Sequence, residues 1–287
     1  MAKCYDVSWP DDMSDMLKNN VIPMTANYVQ QGTGAPVIMI HGLAASLHDW
    51  DDLMPGLAAN GYACYALDLL GHGDSPKPDE RAYQMDWILE HFFNWVESFH
   101  LSEPAVLIGH SLGGYVALEY ARRLSHLTRG LILVNPFYSP SQLPLLLRKT
   151  YRHTNLSSLA IHQVPERLFR FLVDVSSMAM GHSVGALHSL PERIRAQTAL
   201  DYKRTASGVY HILNVISDMT PHLHEINVPA LVVWGERDQT LAPASFARVV
   251  EALPQARGEV LRAGHVPHQS HAAVFNQIVM RFLKELQ

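Results

Sequence analysis

Residues 105–119 read Ala-Val-Leu-Ile-Gly-His-Ser-Leu-Gly-Gly-Tyr-Val-Ala-Leu-Glu and form the most specific structural signal in the chain. The first four residues are an apolar run that ends at glycine, as in strands buried on both faces of a parallel sheet. Val116, Tyr120 and Leu124 then recur at every fourth position, which predicts the buried face of a helix. The segment therefore predicts a strand that gives way to a helix within three residues, with Ser111 at the turn.

The turn has the pattern Gly-x-Ser-x-Gly, formed by Gly109, Ser111 and Gly113. So sharp a turn forces its central residue into a strained backbone conformation, and the two glycines remove side chains that would collide there. The serine hydroxyl is then exposed at the tip of the turn, above a helix N-terminus. We interpret the segment as a nucleophile elbow, with Ser111 as the candidate nucleophile.

Short apolar runs alternate with helical patterns on both sides of this elbow. The runs predict strands at 28–30, 36–40, 62–67, 131–134, 229–234 and 259–262. The helical patterns cover 50–59, 82–99, 243–253 and the residues from 271 onward. Alternation of this kind predicts a mostly parallel β-sheet with helices on both faces.

The alternation stops in residues 137–225, where helical segments occur without a convincing strand. A helical insertion between two strands of such a sheet lies over the C-terminal edge of the sheet, where open α/β sheets bind ligands. We therefore predict a core of residues 24–136 and 226–287, with a helical cap at 137–225. Residues 1–23 are interpreted as a polar N-terminal extension, to which no role is assigned.

Composition and charge narrow the classes of function. The chain has 287 residues, is 48% hydrophobic and carries a formal net charge of −5, so it can bury a large core but lacks the basic footprint of a nucleic-acid-binding protein. Its two cysteines, Cys4 and Cys64, do not suggest a disulfide framework. No apolar run approaches the ~18 residues that span a bilayer, and residues 1–15 contain no signal-peptide core. We expect a soluble, cytoplasmic protein that binds a small molecule, with no nucleic acid partner and no membrane insertion; the oligomeric state stays open.

Four motifs at predicted strand ends give the chain a resemblance to a known family. They are His41-Gly42, Asp68-x-x-Gly71-x-Gly73-x-Ser75, Gly109-His110-Ser111-Leu112-Gly113-Gly114, and Trp234-Gly235-Glu236-Arg237-Asp238 with Gly264-His265. In this order they resemble the α/β-hydrolase fold family, from about residue 24 to the end of the sequence. The resemblance implies a mostly parallel, doubly wound sheet flanked by helices, with an inserted helical cap, as in a serine esterase or lipase. It also implies a reaction that needs no metal and no organic cofactor.

A neutral serine hydroxyl is a poor nucleophile and needs a base to take its proton. Histidine suits this task because its ordinary pKa lies near neutrality. Among the 17 histidines, His265 combines the Gly-His context with a position after the last strand, so the resemblance assigns it as the base. His41 is expected to organise its loop rather than to take part in the chemistry. The rival histidines are His72, His110, His268 and His271.

The same resemblance assigns the acid that orients the base to Asp238. Glu236 is the near alternative, and Asn135 stands where some relatives carry the acid one strand earlier. Charge that develops on the substrate carbonyl oxygen needs donors already in place. By resemblance these donors are the backbone N–H groups of Leu43 and Leu112, so that both leucine side chains would look like ordinary core residues.

These residues predict a serine hydrolase that cleaves a carboxylic ester by acyl transfer to Ser111 and then to water. Thioesters, lactones, amides and carbon–carbon bonds next to a carbonyl use the same triad and remain alternatives, as does a small-molecule receptor on the same fold. The predicted cap is markedly apolar, and we expect its underside to form a largely apolar pocket for neutral esters of short to medium acyl chain. Its apolar residues are Leu143, Leu145, Leu146, Leu147, Leu168, Phe169, Phe171, Leu172, Met178 and Met180.

Overall fold

The computed structural model describes residues 25–78, 83–144, 163–165, 168–171 and 190–287. The predicted extension at 1–23 lies outside the described residues. The same holds for the apolar cap residues Leu145, Leu146, Leu147, Leu172, Met178 and Met180.

One β-sheet runs through the described chain. Its strands are β1 Tyr28–Gln31, β2 Ala35–Ile40, β3 Tyr62–Leu67, β4 Ala105–His110, β5 Thr128–Val134, β6 Ala230–Gly235 and β7 Ala256–Leu261. The seven strands lie in the order β1-β3-β2-β4-β5-β6-β7. β1 is antiparallel to β3, and all other neighbouring strands are parallel. The prediction of a mostly parallel sheet is confirmed.

Helices cover both faces of this sheet. The described α-helices are α1 Met54–Ala58, α2 Met85–Glu97, α3 Leu112–Arg123, α4 Glu192–Arg204, α5 Ile212–Val215, α6 Ala244–Ala252, α7 Pro267–Ser270 and α8 Ala272–Glu285. Shorter 3-10 helices lie at Leu47–Trp50, Ser125–Leu127, Pro140–Gln142, Ser207–His211 and Thr220–Glu225.

Alternate residues of each central strand enter different hydrophobic cores. In β2, Ile38 and Ile40 share a core with residues of α2, α3 and α6. Val37 and Met39 share the opposite core with residues of α1 and α8. This period of two follows from the alternation of side chains along a strand. Because both faces are covered by helices, the central strands appear in the sequence as continuous apolar runs.

Several predicted elements have other bounds in the structure. Strand β5 begins at Thr128 rather than at residue 131, since its pairing with β4 begins there, and helix α2 covers Met85–Glu97 rather than 82–99. The helix predicted at 50–59 is a 3-10 helix at Leu47–Trp50 followed by α1, because Pro55 lacks an N–H and is tolerated only in the first turn of a helix. Strand β7 begins at Ala256, earlier than predicted, since its pairing with β6 begins there. Its side chains are mostly exposed or half-buried, so no apolar run marks this start in the sequence.

Between β5 and β6, the described residues contain helices and no strand. Helix α4 is tied by ion pairs, near both of its ends, to loops at the carboxyl edge of the sheet. Arg193 Nη2 lies 2.5 Å from Asp52 Oδ2, and Arg204 Nη1 lies 3.2 Å from Asp74 Oδ1. The division of the chain into a core and a cap stays a prediction.

Two expectations from composition can be compared with the structure. No helix in the described ranges is both long and apolar enough to cross a membrane. Cys64 is a buried free thiol, while Cys4 lies outside the described residues. The cytoplasmic location stays a prediction.

The turn between β4 and α3 brings backbone atoms close together. Ser111 has φ 50° and ψ −114°, a conformation that residues other than glycine rarely adopt. A Cβ on Gly109 would lie 2.3 Å from the carbonyl oxygen of Gly113, and a Cβ on Gly113 would lie 2.2 Å from that of Ile40. The chain can therefore make this turn only with glycine at both positions.

We expect Gly113→Ala to lower the free energy of unfolding by at least about 2 kcal/mol, because the new methyl group overlaps backbone carbonyl oxygens. Gly56→Ala is the matched control in helix α1, where an added Cβ meets no atom within 4 Å. This control should raise the free energy of unfolding by about 0.5 to 1 kcal/mol, because alanine favours a helix interior. Urea unfolding followed by tryptophan fluorescence measures both values. Equal stability of the two variants would contradict the steric argument.

Candidate active site

A cavity of about 630 Å³ lies at one edge of the sheet. Its lining includes residues that follow the carboxyl ends of parallel strands, namely Leu43 after β2, Ser111 after β4, Phe137 after β5, Leu241 after β6 and His265 after β7. These carboxyl ends meet along one edge, which explains why residues so distant in the sequence share a cavity.

Ser111 lies half-buried on this cavity, at the N-terminus of α3. Its N–H donates to the carbonyl oxygen of Val134 at 3.0 Å, and its own carbonyl oxygen accepts from the N–H of Phe137 at 2.9 Å. These bonds attach the turn to the end of β5. The Ser111 side chain is therefore presented from a backbone that is hydrogen-bonded on both sides.

His265 and Asp238 form a hydrogen-bonded pair. His265 Nδ1 lies 2.8 Å from Asp238 Oδ2, and the Asp238 side chain is fully buried. Asp238 Oδ1 accepts from the N–H groups of Thr240 at 2.7 Å and Leu241 at 3.0 Å. Burial alone would raise the pKa of Asp238, but the charge and hydrogen bond of His265, with these donors, hold it below its ordinary value. The carboxylate is therefore ionised and can hold the His265 ring in one orientation.

Asn135 links the loops that carry this pair. It follows β5 directly, with a φ of 41°. Its Nδ2 donates to Asp238 Oδ2 at 2.7 Å and to the carbonyl oxygen of Gly264 at 3.3 Å. Sequence reasoning identified this residue only as the place where an alternative acid is missing. The signal that marks it is a polar residue directly after an apolar strand at the ligand-binding edge.

Glu236 lies near two arginines. Its Oε1 lies 3.7 Å from Arg237 Nε and 3.7 Å from Arg262 Nε, and its side chain is 43% exposed. The structure therefore brings Asp238, and not Glu236, to His265.

His41 and Asp68 connect the loops that follow β2 and β3. His41 Nε2 accepts from the N–H of Leu69 at 2.9 Å, while its Nδ1 lies 2.7 Å from the carbonyl oxygen of the next residue. The ring is therefore neutral with its hydrogen on Nδ1, and burial lowers its pKa. Asp68 Oδ1 accepts from the N–H of Leu47 at 2.7 Å, and its Oδ2 accepts from that of Asp74 at 2.8 Å. These contacts agree with a role in loop organisation.

The described lining of the cavity includes His110 but not the other rival histidines, His72, His268 and His271. His72 is buried against the His41 ring, with 5.0 Å between centroids, and burial holds its pKa well below the ordinary value. His271 Nδ1 lies 2.9 Å from Ser270 Oγ at the start of α8. Neither ring is placed to accept a proton from Ser111.

The other rivals, His110 and His268, form a buried cluster with Asp49. Among the described residues, this is the group that could hold a metal ion, with ligand atoms within 4.8 Å of one another. The Asp49 carboxylate already accepts hydrogen bonds at both oxygens, from Gln269 Nε2 at 3.0 Å and from His110 Nδ1 at 3.1 Å. We interpret Asp49, His110 and Gln269 as a hydrogen-bonded network on which the His268 ring packs, and the expected absence of a metal or organic cofactor stays a prediction.

Leu43 and Leu112 both line the cavity. Leu112 is the first residue of α3, so its N–H has no partner within the helix. Leu43 lies in the loop after β2, beside Ala44, whose φ is 56°. Both N–H groups remain candidates for donors to an oxyanion.

The cavity walls are largely apolar. They include Phe137, Leu143, Phe169, Leu190, Ile194 and Leu213. Of the residues predicted for the underside of the cap, Leu143 and Phe169 therefore lie on the cavity. Leu168 and Phe171, in contrast, are exposed.

Helix α4 adds the charged residues Arg193, Arg195 and Asp201 to the lining, which sequence reasoning missed because it followed the apolar residues. Arg193 forms the ion pair with Asp52 described above, and Arg195 Nη2 lies 2.5 Å from Glu192 Oε2. Both guanidinium charges are thus compensated. Asp201 is buried and accepts from the neutral amide of Gln197 at 2.8 Å. Burial raises the pKa of Asp201 to about 7.

Known proteins resemble this chain in sequence and in fold. A pimeloyl-[acyl-carrier protein] methyl ester esterase of Aeromonas hydrophila is 27% identical over 266 residues, which cover 91% of this chain and 100% of that protein. An esterase from Thermogutta terrifontis has a TM-score of 0.75 at 22% identity, covering 91% of this chain and 93% of that chain. A bromoperoxidase from Bacillus anthracis has a TM-score of 0.77 at 21% identity, covering 90% and 94%. At these identities the two solved structures show the shared fold alone.

The family model described as alpha/beta hydrolase fold matches residues 35–272. This range contains β2 to β7, the turn at Ser111 and the loops that carry Asp238 and His265. The match over most of the chain, together with the sheet topology, shows that the protein belongs to the alpha/beta hydrolase fold family.

Proposed function

We propose that the protein is a serine hydrolase that cleaves a carboxylic ester through an acyl-enzyme on Ser111. The observation that carries the proposal is the buried, ionised Asp238 at 2.8 Å from His265 Nδ1, with His265 and Ser111 on the same cavity. The family and the relative named as a methyl ester esterase support an ester as the substrate class. Asp238, His265 and Ser111 are then acid, base and nucleophile.

In the first half-reaction, Asp238 accepts the Nδ1–H of His265, which leaves the Nε2 lone pair free to take the Ser111 proton. The serine oxygen bonds to the substrate carbonyl carbon, and an electron pair moves to the carbonyl oxygen. The N–H groups of Leu43 and Leu112 stabilise this oxyanion. The intermediate collapses when the ester C–O bond breaks and the leaving alcohol takes the proton from His265 Nε2.

The second half-reaction repeats these steps with water as the nucleophile. His265 removes a proton from water, the hydroxyl oxygen bonds to the acyl carbon, and the bond to Ser111 breaks as His265 returns the proton to the serine oxygen. The products are a carboxylic acid and free enzyme. Throughout, Asp238 stays ionised and stabilises the imidazolium form of His265.

The cavity wall supports a neutral, largely apolar acyl group. Apolar surface makes up most of the described lining, and the two arginines of α4 that line the cavity, Arg193 and Arg195, are already paired. Asp201 differs from these arginines, because its hydrogen-bond partner Gln197 is neutral and does not compensate its charge. An anionic acyl group would therefore meet repulsion from Asp201, while Arg193 and Arg195 in the described lining are each paired with a carboxylate.

Ser111→Ala should lower kcat for p-nitrophenyl butyrate at least about 10³-fold, because the members of a triad act as one unit. Ser270→Ala is the matched control, since Ser270 also lines the cavity but donates to the carbonyl oxygen of Val266 at 3.1 Å. It should lose less than about tenfold, because its hydroxyl has no part in the proposed chemistry. Equal losses in the two variants would contradict Ser111 as the nucleophile. A wild-type protein that binds esters without turnover would favour the receptor alternative.

The choice of acid is tested by Asp238→Asn against Glu236→Gln. The first change removes the charge that orients His265 and should lower kcat about 10³- to 10⁴-fold. The second alters an exposed carboxylate and should change kcat less than about twofold. Steady-state kinetics with p-nitrophenyl butyrate measures both. The assignment of Asp238 is wrong if the order of the two effects is reversed.

Substrate selection is tested with p-nitrophenyl esters from acetate to palmitate and with a succinate half-ester. Each further methylene adds about 0.8 kcal/mol of binding, or about fourfold in kcat/KM, until the cavity is filled. We expect the optimum at a short to medium acyl chain and poor turnover of the anionic half-ester. A peak at palmitate, or a preference for the half-ester, would contradict an apolar pocket for neutral acyl groups.

The contribution of Asp201 to this selection depends on pH in a defined direction. Because its pKa is raised to about 7, Asp201 is mostly neutral at pH 6 and mostly ionised at pH 8. The ratio of kcat/KM for the butyrate over the half-ester should therefore rise about tenfold between these pH values. In the control variant Asp201→Asn, the ratio should stay constant over the same range.

A further inference from the structure

His110 lies between the proposed nucleophile and the proposed base. It directly precedes Ser111 in the chain and is 4% exposed. Its Nδ1 lies 3.1 Å from Asp49 Oδ2, and its Nε2 lies 3.0 Å from the main-chain carbonyl oxygen of His265. The ring thus spans from the loop after β2 to the loop after β7, with the nucleophile turn beside it.

The partners of the two ring nitrogens determine where the hydrogens are. A carbonyl oxygen can only accept, so the 3.0 Å contact with His265 requires a hydrogen on His110 Nε2. The Asp49 carboxylate also accepts from Gln269 Nε2 at 3.0 Å, so it faces donors at both oxygens. His110 and Asp49 therefore share a second hydrogen between Nδ1 and Oδ2, and the pair has no net charge.

His268 lies beside this pair, but its Nε2 is 3.9 Å from Asp49 Oδ2, beyond hydrogen-bond distance. The His268 ring packs on His110 with 4.5 Å between centroids, and burial holds its pKa well below the ordinary value, so it is neutral. The rings of His265 and His41 and the carboxyl group of Asp201 also face the pair. Burial alone would raise the pKa of the Asp49 carboxyl, but the hydrogen bond and charge of His110 hold it below its ordinary value.

We propose that His110 is a positioning residue that holds the main chain of His265 through its Nε2–H, while Asp49 holds the His110 ring. His265 is then anchored twice, at its side chain by Asp238 and at its carbonyl oxygen by His110. This inference rests on the proposed function, because it assigns the held residue as the base. A displacement of about 1 Å between reacting groups can cost about 10²-fold in rate, so an anchor of this kind is reflected in kcat.

Two variants separate the contacts of His110. The amide nitrogen of glutamine lies near the position of histidine Nε2, and that of asparagine lies near Nδ1. His110→Gln therefore keeps a donor for the His265 carbonyl oxygen but loses the contact with Asp49. His110→Asn keeps a donor for Asp49 but loses the contact with His265. We expect kcat of His110→Asn to be at least about tenfold below that of His110→Gln, with KM values within about threefold.

Stability should follow the opposite order. His110→Gln leaves a buried carboxylate with fewer donors, which destabilises the fold, so its Tm should be the lower of the two. If His110 had only a structural role, kcat would follow stability. His110→Asn would then have both the higher kcat and the higher Tm of the two variants. Activity of His110→Asn equal to or above that of His110→Gln would overturn the proposal.

The hydrogen on Nε2 can be observed without any measurement of activity. The wild-type protein is labelled with ¹³C,¹⁵N-histidine, and the ring signals of His110 at the pH of the activity assay are assigned by through-bond and through-space correlations in the wild-type protein itself. We expect a directly bonded hydrogen on Nε2 of His110. A spectrum without a hydrogen on Nε2 would overturn the proposal even if both variants failed to fold. Activity retained by Ser111→Ala would instead overturn the proposed function and leave this spectrum unchanged.

Discussion

The close approach of helix α3 to strand β2 is the constraint on which the site depends. An atom the size of a methyl group on Gly113 would lie 2.2 Å from the Ile40 carbonyl oxygen, so the helix can begin here only without a side chain. Because α3 begins so close to β2, only Ser111 separates strand β4 from the helix. Ser111 therefore adopts a strained backbone conformation, with a φ of 50°. The same close approach also places the free N–H of Leu112 at the carboxyl edge of the sheet, beside the loop that carries Leu43.

Two buried carboxylates, Asp238 and Asp49, belong to the site, and each is stabilised by a different set of hydrogen-bond donors. A buried charge is tolerated when hydrogen bonds and an opposite charge replace water. Asp238 receives backbone donors, the Asn135 amide and the His265 ring. Asp49 receives the Gln269 amide and the ring of the histidine before the nucleophile. The first carboxylate contacts the proposed base at its side chain, and the second is connected to its main chain through that histidine.

The wall of the cavity combines apolar packing with a few charges. Residues such as Leu143 and Phe169 make the described cavity suitable for acyl chains. Arg193 serves a different purpose, since its pairing with Asp52 ties α4 to the core. Asp201 is the exception in this wall, because it is buried beside a neutral partner and has a raised pKa. The chemistry of the wall is therefore decided by how each charge is paired, not by how many charges it contains.

The sequence by itself determined the features that local physics controls. Apolar periodicity predicted the parallel sheet and most of its strands, and glycine spacing predicted the turn at Ser111, since both depend on neighbouring residues. The start of β7 was missed because strand pairing, not an apolar run, sets it. The family resemblance assigned the acid to Asp238, with Glu236 as the near alternative, and in the structure Asp238 contacts His265. Tertiary structure alone decided that His110 faces Asp49. These pairs are far apart in the sequence, and they meet only because the carboxyl ends of the parallel strands converge at one edge.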